Sequence, residues 1–100
     1  MKRARFVAGA RQEFLAEVAY YNAAQSGLGA RLTSAVEEAT ARALAFPLAG
    51  SPYVSNTRRV FLKGFPFSLV YRPEDNGIVI FAVSHYARQP RYWVGRARGR

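Results

Sequence analysis

The spacing of hydrophobic and polar positions in this chain divides it into a helical first half and a strand-forming second half. After a short extended stretch over residues 3–8, apolar side chains recur every three or four positions as far as Phe46, which is the spacing of one helix face. The segment 26–29, with two glycines, interrupts this spacing because glycine adopts the left-handed turn that ends a helix. Pro47 stops it. The pattern predicts a first strand followed by two antiparallel helices joined by a short turn.

Beyond the helices, apolar residues come in the short runs typical of strands. Three strands are predicted, over residues 57–62, 67–72 and 78–85. A turn at 64–66 joins the first two, and Asn76-Gly77 supplies the hairpin turn before the third. The run 78–83 is apolar without alternation, which predicts a central strand covered on both faces. A final helical turn is predicted at 91–95.

The predicted order is therefore β-α-α-β-β-β, which is an α+β fold. We expect an antiparallel helical hairpin to pack on one face of a mainly antiparallel four-stranded sheet. Residues 47–52 are too few for an interdomain linker, so residues 1–95 are interpreted as one domain and residues 96–100 as a polar, basic tail. We expect the second face of the sheet to be thinly covered and to collect the basic side chains.

The charge of the chain indicates a binding partner. The chain carries 15 Lys and Arg against 6 Asp and Glu, a net charge of +9. Residues 1–50 hold six basic and four acidic residues, whereas residues 51–100 hold nine and two. This asymmetry indicates an anionic partner, either nucleic acid or an acidic protein. The alternative is a basic surface that only keeps the protein soluble.

Composition also excludes several classes of site. The absence of cysteine excludes a disulfide scaffold, and a single histidine argues against a His-rich metal site, so we expect no metal and no cofactor. No run approaches the ~20 apolar residues of a membrane span. Residues 1–5 are basic like the start of a signal peptide, but the apolar stretch 6–10 is too short to continue one. We expect an unprocessed cytoplasmic protein with no membrane partner.

The basic and aromatic residues of the second half are the candidates for target binding. Arginine and lysine would neutralise phosphates, and Tyr86, Tyr92 and Trp93, which lie among arginines, would stack on bases. The target-binding candidates are Arg58, Arg59, Lys63, Arg72, Arg88, Arg91 and Tyr92. The alternative for this set is a solvated basic face. For Trp93 we favour a structural role, in which the ring folds back as a lid on the sheet.

Some of these residues also support a ribonuclease hypothesis. Cleaving RNA through its 2′-hydroxyl needs a general base, a general acid and cations on the phosphate. The candidate catalytic residues are His85, Arg72, Arg59 and Lys63. No carboxylate occurs between Glu38 and Glu74, so the middle strands offer no glutamate base. The alternative that we favour for His85 is a strand-end imidazole bonded to the backbone or to the C-terminal segment.

Two neighbouring motifs have structural interpretations. Side chains alternate along a strand, so one of Arg58 and Arg59 is expected to point towards the helices and to pair with Glu37 or Glu38. The other is expected to point to the second face. The segment 65–67 is interpreted as architecture, in which Pro66 fixes a bend and its flanking phenylalanines plug the core edge.

Several of these features, taken in order along almost the whole chain, resemble the RelE/ParE superfamily of type II toxin–antitoxin toxins and are most similar to its ParE-like members. They are Tyr20-Tyr21 ahead of the glycine turn, Phe46-Pro47 at the end of the second helix, Arg58-Arg59, Phe65-Pro66-Phe67 leading into Leu69-Val70-Tyr71-Arg72, and the strand 80–85 followed by Arg88, Pro90, Tyr92 and Trp93.

The resemblance implies a chain that inhibits growth when free, as in plasmid stabilisation. It also implies a cognate antitoxin, acidic in its toxin-binding segment, that wraps the toxin. One branch of the superfamily poisons DNA gyrase, and the missing strand carboxylate favours this branch. The alternative is a ribosome-dependent endoribonuclease that cuts mRNA, and a second alternative is a non-toxic basic RNA-binding or interaction module. A dimer of the free chain is left open.

Overall fold

The computed structural model describes residues 2–88 and 91–98, apart from the side chain of Arg91. Its elements are β1 (Arg3–Phe6), α1 (Ala8–Ala24), α2 (Leu28–Ala45), β2 (Ser51–Tyr53), β3 (Thr57–Phe61), β4 (Phe67–Glu74), β5 (Gly77–His85) and α3 (Arg91–Arg98). A single 3₁₀ turn, Val54–Asn56, joins β2 to β3. The strands form one sheet in the order β1-β5-β4-β3-β2, with β1 parallel to β5 and all other pairs antiparallel.

The predicted α+β fold is confirmed, and β5 is an interior strand between β1 and β4 that is covered on both faces, as predicted, but the sheet has five strands instead of four. The additional strand is β2, which lies in the stretch taken for connector and loop and pairs with β3 through Tyr53 and Thr57. It is only three residues long and contains Pro52, which is tolerated because an edge strand needs no donor on its outer side. So short a strand shows no alternation that the sequence could reveal.

The helical hairpin covers one face of the sheet, which we call the hairpin face. Leu32, Val36 and Ala39 of α2 are buried there against Leu69 and Ile80 of the sheet. The two helices approach closely at Gly29, where an added Cβ would lie 2.6 Å from the Val18 carbonyl oxygen. Gly27 turns the chain between the helices at a φ of 89°. This face contains the larger of the two apolar cores.

The opposite face, which we call the α3 face, differs from the expectation of thin cover. Trp93 and Ala97 of α3 are buried against Val70 and Phe81 of the sheet, together with residues from the start of α1. The physical reason is that β5 is buried along nearly its whole length, so both of its faces need an apolar partner. Trp93 is fully buried beside Tyr53, with ring centroids 5.8 Å apart, so the prediction of a Trp93 lid is confirmed.

The C-terminal helix is longer than the single turn predicted at 91–95. Residues 96–98, which the sequence interpretation assigned to a polar tail, continue α3 as far as Arg98. Ala97 is buried, and Arg96 binds Glu13 of α1 in bidentate fashion at 2.8 and 2.9 Å. Arg96 also donates to the Phe81 carbonyl at 3.0 Å. These bonds fasten α3 to both α1 and β5. The last two residues, 99 and 100, lie outside the described residues.

Candidate target-binding surface

Arg72 lies on the α3 face, because its β4 position pairs with Val79 of the second core. Its guanidinium donates to three backbone carbonyls: Asn56 at 2.9 Å, Ser55 at 2.7 Å and Ala97 at 3.2 Å. Ser55 and Asn56 both have left-handed backbones, with φ of 57° and 56°, a conformation that costs free energy in residues other than glycine. Arg72 therefore holds the strained 54–56 turn and the end of α3 together.

Arg58 lies on the hairpin face, paired across the sheet with Tyr71. Its Nη1 donates to the carbonyls of Leu48 and Gly50, both at 2.8 Å, and the Tyr71 hydroxyl donates to the Pro47 carbonyl at 2.7 Å. These bonds fix the connector between α2 and β2. A Cβ at Gly50 would lie 2.4 Å from the Tyr71 hydroxyl oxygen, so this close approach requires glycine.

The opposite orientation of the two neighbouring arginines is confirmed, but the predicted partner of the inward one is wrong. Glu38 binds Arg42 at 2.7 Å and lies 3.9 Å from the Lys63 ammonium, and these contacts replace an ion pair with Arg58. The hydrogen bond from Arg42 lowers the pKa of Glu38. Arg58 instead donates to the carbonyls of Leu48 and Gly50 in the connector between α2 and β2.

Arg59 lies on the α3 face, paired with Val70. Its guanidinium carbon is 4.1 Å from the centroid of the Tyr53 ring and 5.1 Å from that of Phe61. Its Nε is buried without a hydrogen-bond partner among the described residues. Arg59 is thus held mainly by aromatic rings, on which a planar guanidinium stacks favourably.

An exposed pair of aromatic rings lies next to Arg59. Phe61 and Tyr86 meet edge to face with centroids 5.5 Å apart, and they are 44% and 53% exposed. Tyr86 was among the aromatic residues proposed from the sequence to stack on bases, whereas Phe61 was not selected. Phe61 could have been found, since it follows Arg59 by two positions on the same strand and so shares its face. The contact between Tyr86 and Phe61 could not be predicted, because it depends on the strand order.

A second arginine–aromatic pair lies on the same face. The guanidinium carbon of Arg88 is 3.6 Å from the centroid of Tyr92, and Arg88 is exposed. Burial raises the pKa of Tyr92, while a hydrogen bond with Ser84 and the charge of Arg88 oppose the rise. We call Arg59, Phe61, Tyr86, Arg88 and Tyr92 together the aromatic–arginine surface. Its members are all cationic or aromatic.

The structure separates the candidate catalytic residues. The His85 ring packs edge to face on Phe67, with centroids 5.3 Å apart, which places it on the hairpin face. Its Nδ1 accepts the backbone N–H of Ala87 at 3.0 Å. This ring projects from the opposite face of the sheet to Arg59 and Arg72, with its centroid 6.5 Å from that of Tyr86, and Lys63 sits in the exposed turn after β3 beside Glu38. Four predicted catalytic side chains therefore lie at three places, and their roles stay predictions.

The predicted target-binding residues are divided in the same way. Arg59, Arg88 and Tyr92 belong to the aromatic–arginine surface, whereas Arg58 and Arg72 bind backbone carbonyls elsewhere. Arg91 begins α3, and its side chain lies outside the described residues. No cluster of three or more metal-binding side chains occurs in residues 2–88 and 91–98. Within the same ranges, no helix is long and apolar enough to cross a membrane.

An apolar groove beside β1 was also missed by the sequence reasoning. It has a volume of about 370 Å³ and runs between β1 and α2, lined by Phe6, Phe14, Val36 and Leu44 among others. β1 is an edge strand of the sheet in the described part of the chain. The groove therefore lies next to backbone groups that face away from β5.

Comparisons with known proteins agree with this architecture. A chain of the chromosomal ParDE toxin–antitoxin system from P. aeruginosa has a similar fold, with a TM-score of 0.72 and 20% sequence identity over 85% of this chain and 96% of that one. No curated protein sequence matches the chain significantly. The family model for the ParE toxin of the type II toxin–antitoxin system parDE matches residues 5–90. With a match over most of its length, the chain belongs to the ParE toxin family.

Proposed function

We propose that this protein is a growth-inhibiting toxin that acts on DNA gyrase and is neutralised by an antitoxin with an acidic toxin-binding segment. The observation that carries the proposal is the family match over residues 5–90. The net charge of +9 supports an acidic partner, because opposite potentials speed association and favour the right partner.

The geometry favours gyrase inhibition over RNA cleavage. General acid–base cleavage needs its acid, base and phosphate cations around one scissile bond. His85 lies on the hairpin face, whereas Arg59 and Arg72 lie on the α3 face. Arg72 already donates to three carbonyls, so it is not available to a phosphate without releasing the 54–56 turn. A toxin that binds its target needs no such convergence.

The β1 groove is the surface that suits the antitoxin. An amphipathic segment could place apolar side chains on Phe6, Phe14 and Leu44, or add a strand to the edge of β1. Glu37 also lines the groove, but the exposed Lys2 and Arg3 directly precede Ala4 of its lining and would attract acidic residues of that segment. Apolar burial would supply affinity there, and the charges would supply speed and selectivity.

Inducible expression without antitoxin tests the target. DNA, RNA and protein synthesis are followed separately, together with the DNA-damage response and the integrity of messages. A gyrase poison is expected to induce DNA damage and filamentation while messages stay intact. Growth arrest with cleaved messages and intact chromosomes would refute the proposed target.

A charge placed in the groove tests the antitoxin surface. Ala41 is exposed and lines the groove, so Ala41→Arg should leave folding and toxicity intact but prevent rescue by the antitoxin. Ala23→Arg, at an exposed position of α1, is the matched control and should still be rescued. Equal rescue of both variants would exclude the groove as the docking site.

A further inference from the structure

We propose that the aromatic–arginine surface binds single-stranded nucleic acid directly. This inference goes beyond the proposed function, since it concerns the protein and an oligonucleotide alone and requires no gyrase. The first observation is the exposed pair Phe61–Tyr86, because soluble proteins seldom leave two large aromatic rings in contact at their surface without a use for them.

The second observation is the placement of guanidinium planes beside these rings. Arg59 lies 5.1 Å from the Phe61 centroid, and Arg88 lies 3.6 Å from the Tyr92 centroid. Aromatic rings and stacked arginines offer flat faces to unpaired bases, and the arginine charge neutralises the phosphates between them. A base pair inside a duplex exposes only its edges, so this surface favours single strands.

The two pairs are spaced suitably for neighbouring nucleotides. Phe61 of β3, Ser68 of β4 and Ser84 of β5 lie side by side across the sheet, and Tyr92 lies beside Ser84, which acts on its pKa. Two strand spacings, about 10 Å, therefore separate the backbone at Phe61 from the backbone beneath Tyr92. An extended strand could reach across this distance with two or three nucleotides.

The positive charge of this surface favours a nucleic acid over an apolar partner. Glu13 is the acidic residue whose charge affects the pKa of Tyr92, and its carboxylate already forms an ion pair with Arg96 at 2.8 Å. Residues 51–100 carry nine basic and two acidic residues. The surface thus combines stacking faces with unopposed positive charge, and an acidic peptide would use only the second of these.

Fluorescence anisotropy with labelled oligo(dT) and oligo(U) of about ten nucleotides tests the proposal on the full-length protein. We expect binding to at least one of these strands that is at least tenfold tighter than to a duplex of equal length. Tight binding of either strand supports the proposal, and the tighter strand identifies the natural ligand. Equal affinity for single strand, duplex and polyglutamate would overturn it, because simple charge attraction would then explain all binding.

Removal of the exposed rings tests the stacking. The double variant Phe61→Ala/Tyr86→Ala should bind about tenfold more weakly than the wild type, as expected for the loss of one stacked base. Tyr20→Ala/Leu48→Ala is the matched control, since these side chains are 69% and 71% exposed and lie outside the surface. Tyr86→Phe keeps the ring and should bind normally. Unchanged affinity of the double variant, or a loss in Tyr86→Phe as large as in Tyr86→Ala, would refute stacking.

Removal of one charge tests the phosphate contact. Arg88→Gln should reduce the slope of log affinity against log salt by about 0.7, the value for one single-strand phosphate contact. Arg31→Gln, at an exposed position of α2, should leave the slope unchanged. Equal slopes for both variants would remove Arg88 from the binding surface.

Discussion

The two faces of the sheet are held by different kinds of side chain and interaction. The hairpin face is covered by two helices of 17 and 18 residues, and its core consists of aliphatic and alanine side chains around Phe67 and Tyr71. The α3 face is covered mainly by a helix of 8 residues and has a smaller apolar core around Trp93. Apolar burial secures the first face, whereas the second adds the hydrogen bonds of Arg72 and Arg96 and cation–π contacts to its apolar core. We infer that the hairpin face holds the fold and that the α3 face is adapted to bind.

The largest expected effect is on the hairpin face. Leu32 is fully buried, so Leu32→Ala should lower the free energy of unfolding by about 2–5 kcal/mol through lost burial and a residual cavity. Leu15→Ala, at a position that is 52% exposed, should change it by less than about 1 kcal/mol. Urea unfolding measures both. Similar losses for the two variants would mean that the hairpin does not form the main core.

A smaller effect is expected from the polar clamp of the α3 face. Arg72→Gln should cost about 2 kcal/mol, because it leaves carbonyls of the 54–56 turn and of α3 without their donor. Hydrogen exchange should show the loss first in α3. Arg31→Gln, at an exposed position of α2, is the control and should change stability by less than about 0.5 kcal/mol. A toxin variant at Arg72 with full stability but no activity would instead assign this residue to the target.

The ion pair between Glu13 of α1 and Arg96 of α3 should contribute less to the free energy of unfolding than Arg72 does. Glu13→Gln removes the ion pair with Arg96, which should cost about 1 kcal/mol, since Glu13 is 37% exposed and water screens the pair. The Arg96 bond to the Phe81 carbonyl remains and should keep α3 in place. We expect faster amide exchange in α3 and unchanged exchange in α2. Equal acceleration in both helices would mean that α3 is part of the global folding unit.

The smallest expected effect is a loss of folding stability at alkaline pH. Burial raises the pKa of Tyr92, so the folded state holds this proton more tightly than the unfolded state does. The resulting stabilisation is complete below the unfolded pKa of about 10 and is lost as pH rises through the folded pKa. Between about pH 9 and pH 11 the melting temperature should therefore fall less in Tyr92→Phe than in the wild type. An equal fall would place the alkaline sensitivity elsewhere, for instance at Tyr71, whose pKa burial also raises.

Much of the hairpin face was predictable from the sequence, and much of the α3 face was not. The helices were predictable because their apolar positions recur every three or four residues, and β5 was predictable because residues 78–83 form an unbroken apolar run. β2 was not predictable because three residues including Pro52 carry no period. The last turn of α3 was not predictable because residues 95–98 alternate small residues with arginine. The role of Arg72 depends on carbonyls of Ser55 and Asn56 that only the left-handed turn brings within reach.

Purified His85→Ala protein, assayed with gyrase and supercoiled plasmid, tests directly whether the protein acts by binding its target. The His85 ring packs on Phe67 on the hairpin face and its Nδ1 accepts a backbone N–H, so we propose no catalytic role for it. The variant should therefore trap as much gyrase-cleaved plasmid as the wild type does. A wild-type protein that leaves gyrase unaffected but cuts mRNA on ribosomes, with that cleavage abolished in a fully folded His85→Ala variant, would contradict the account.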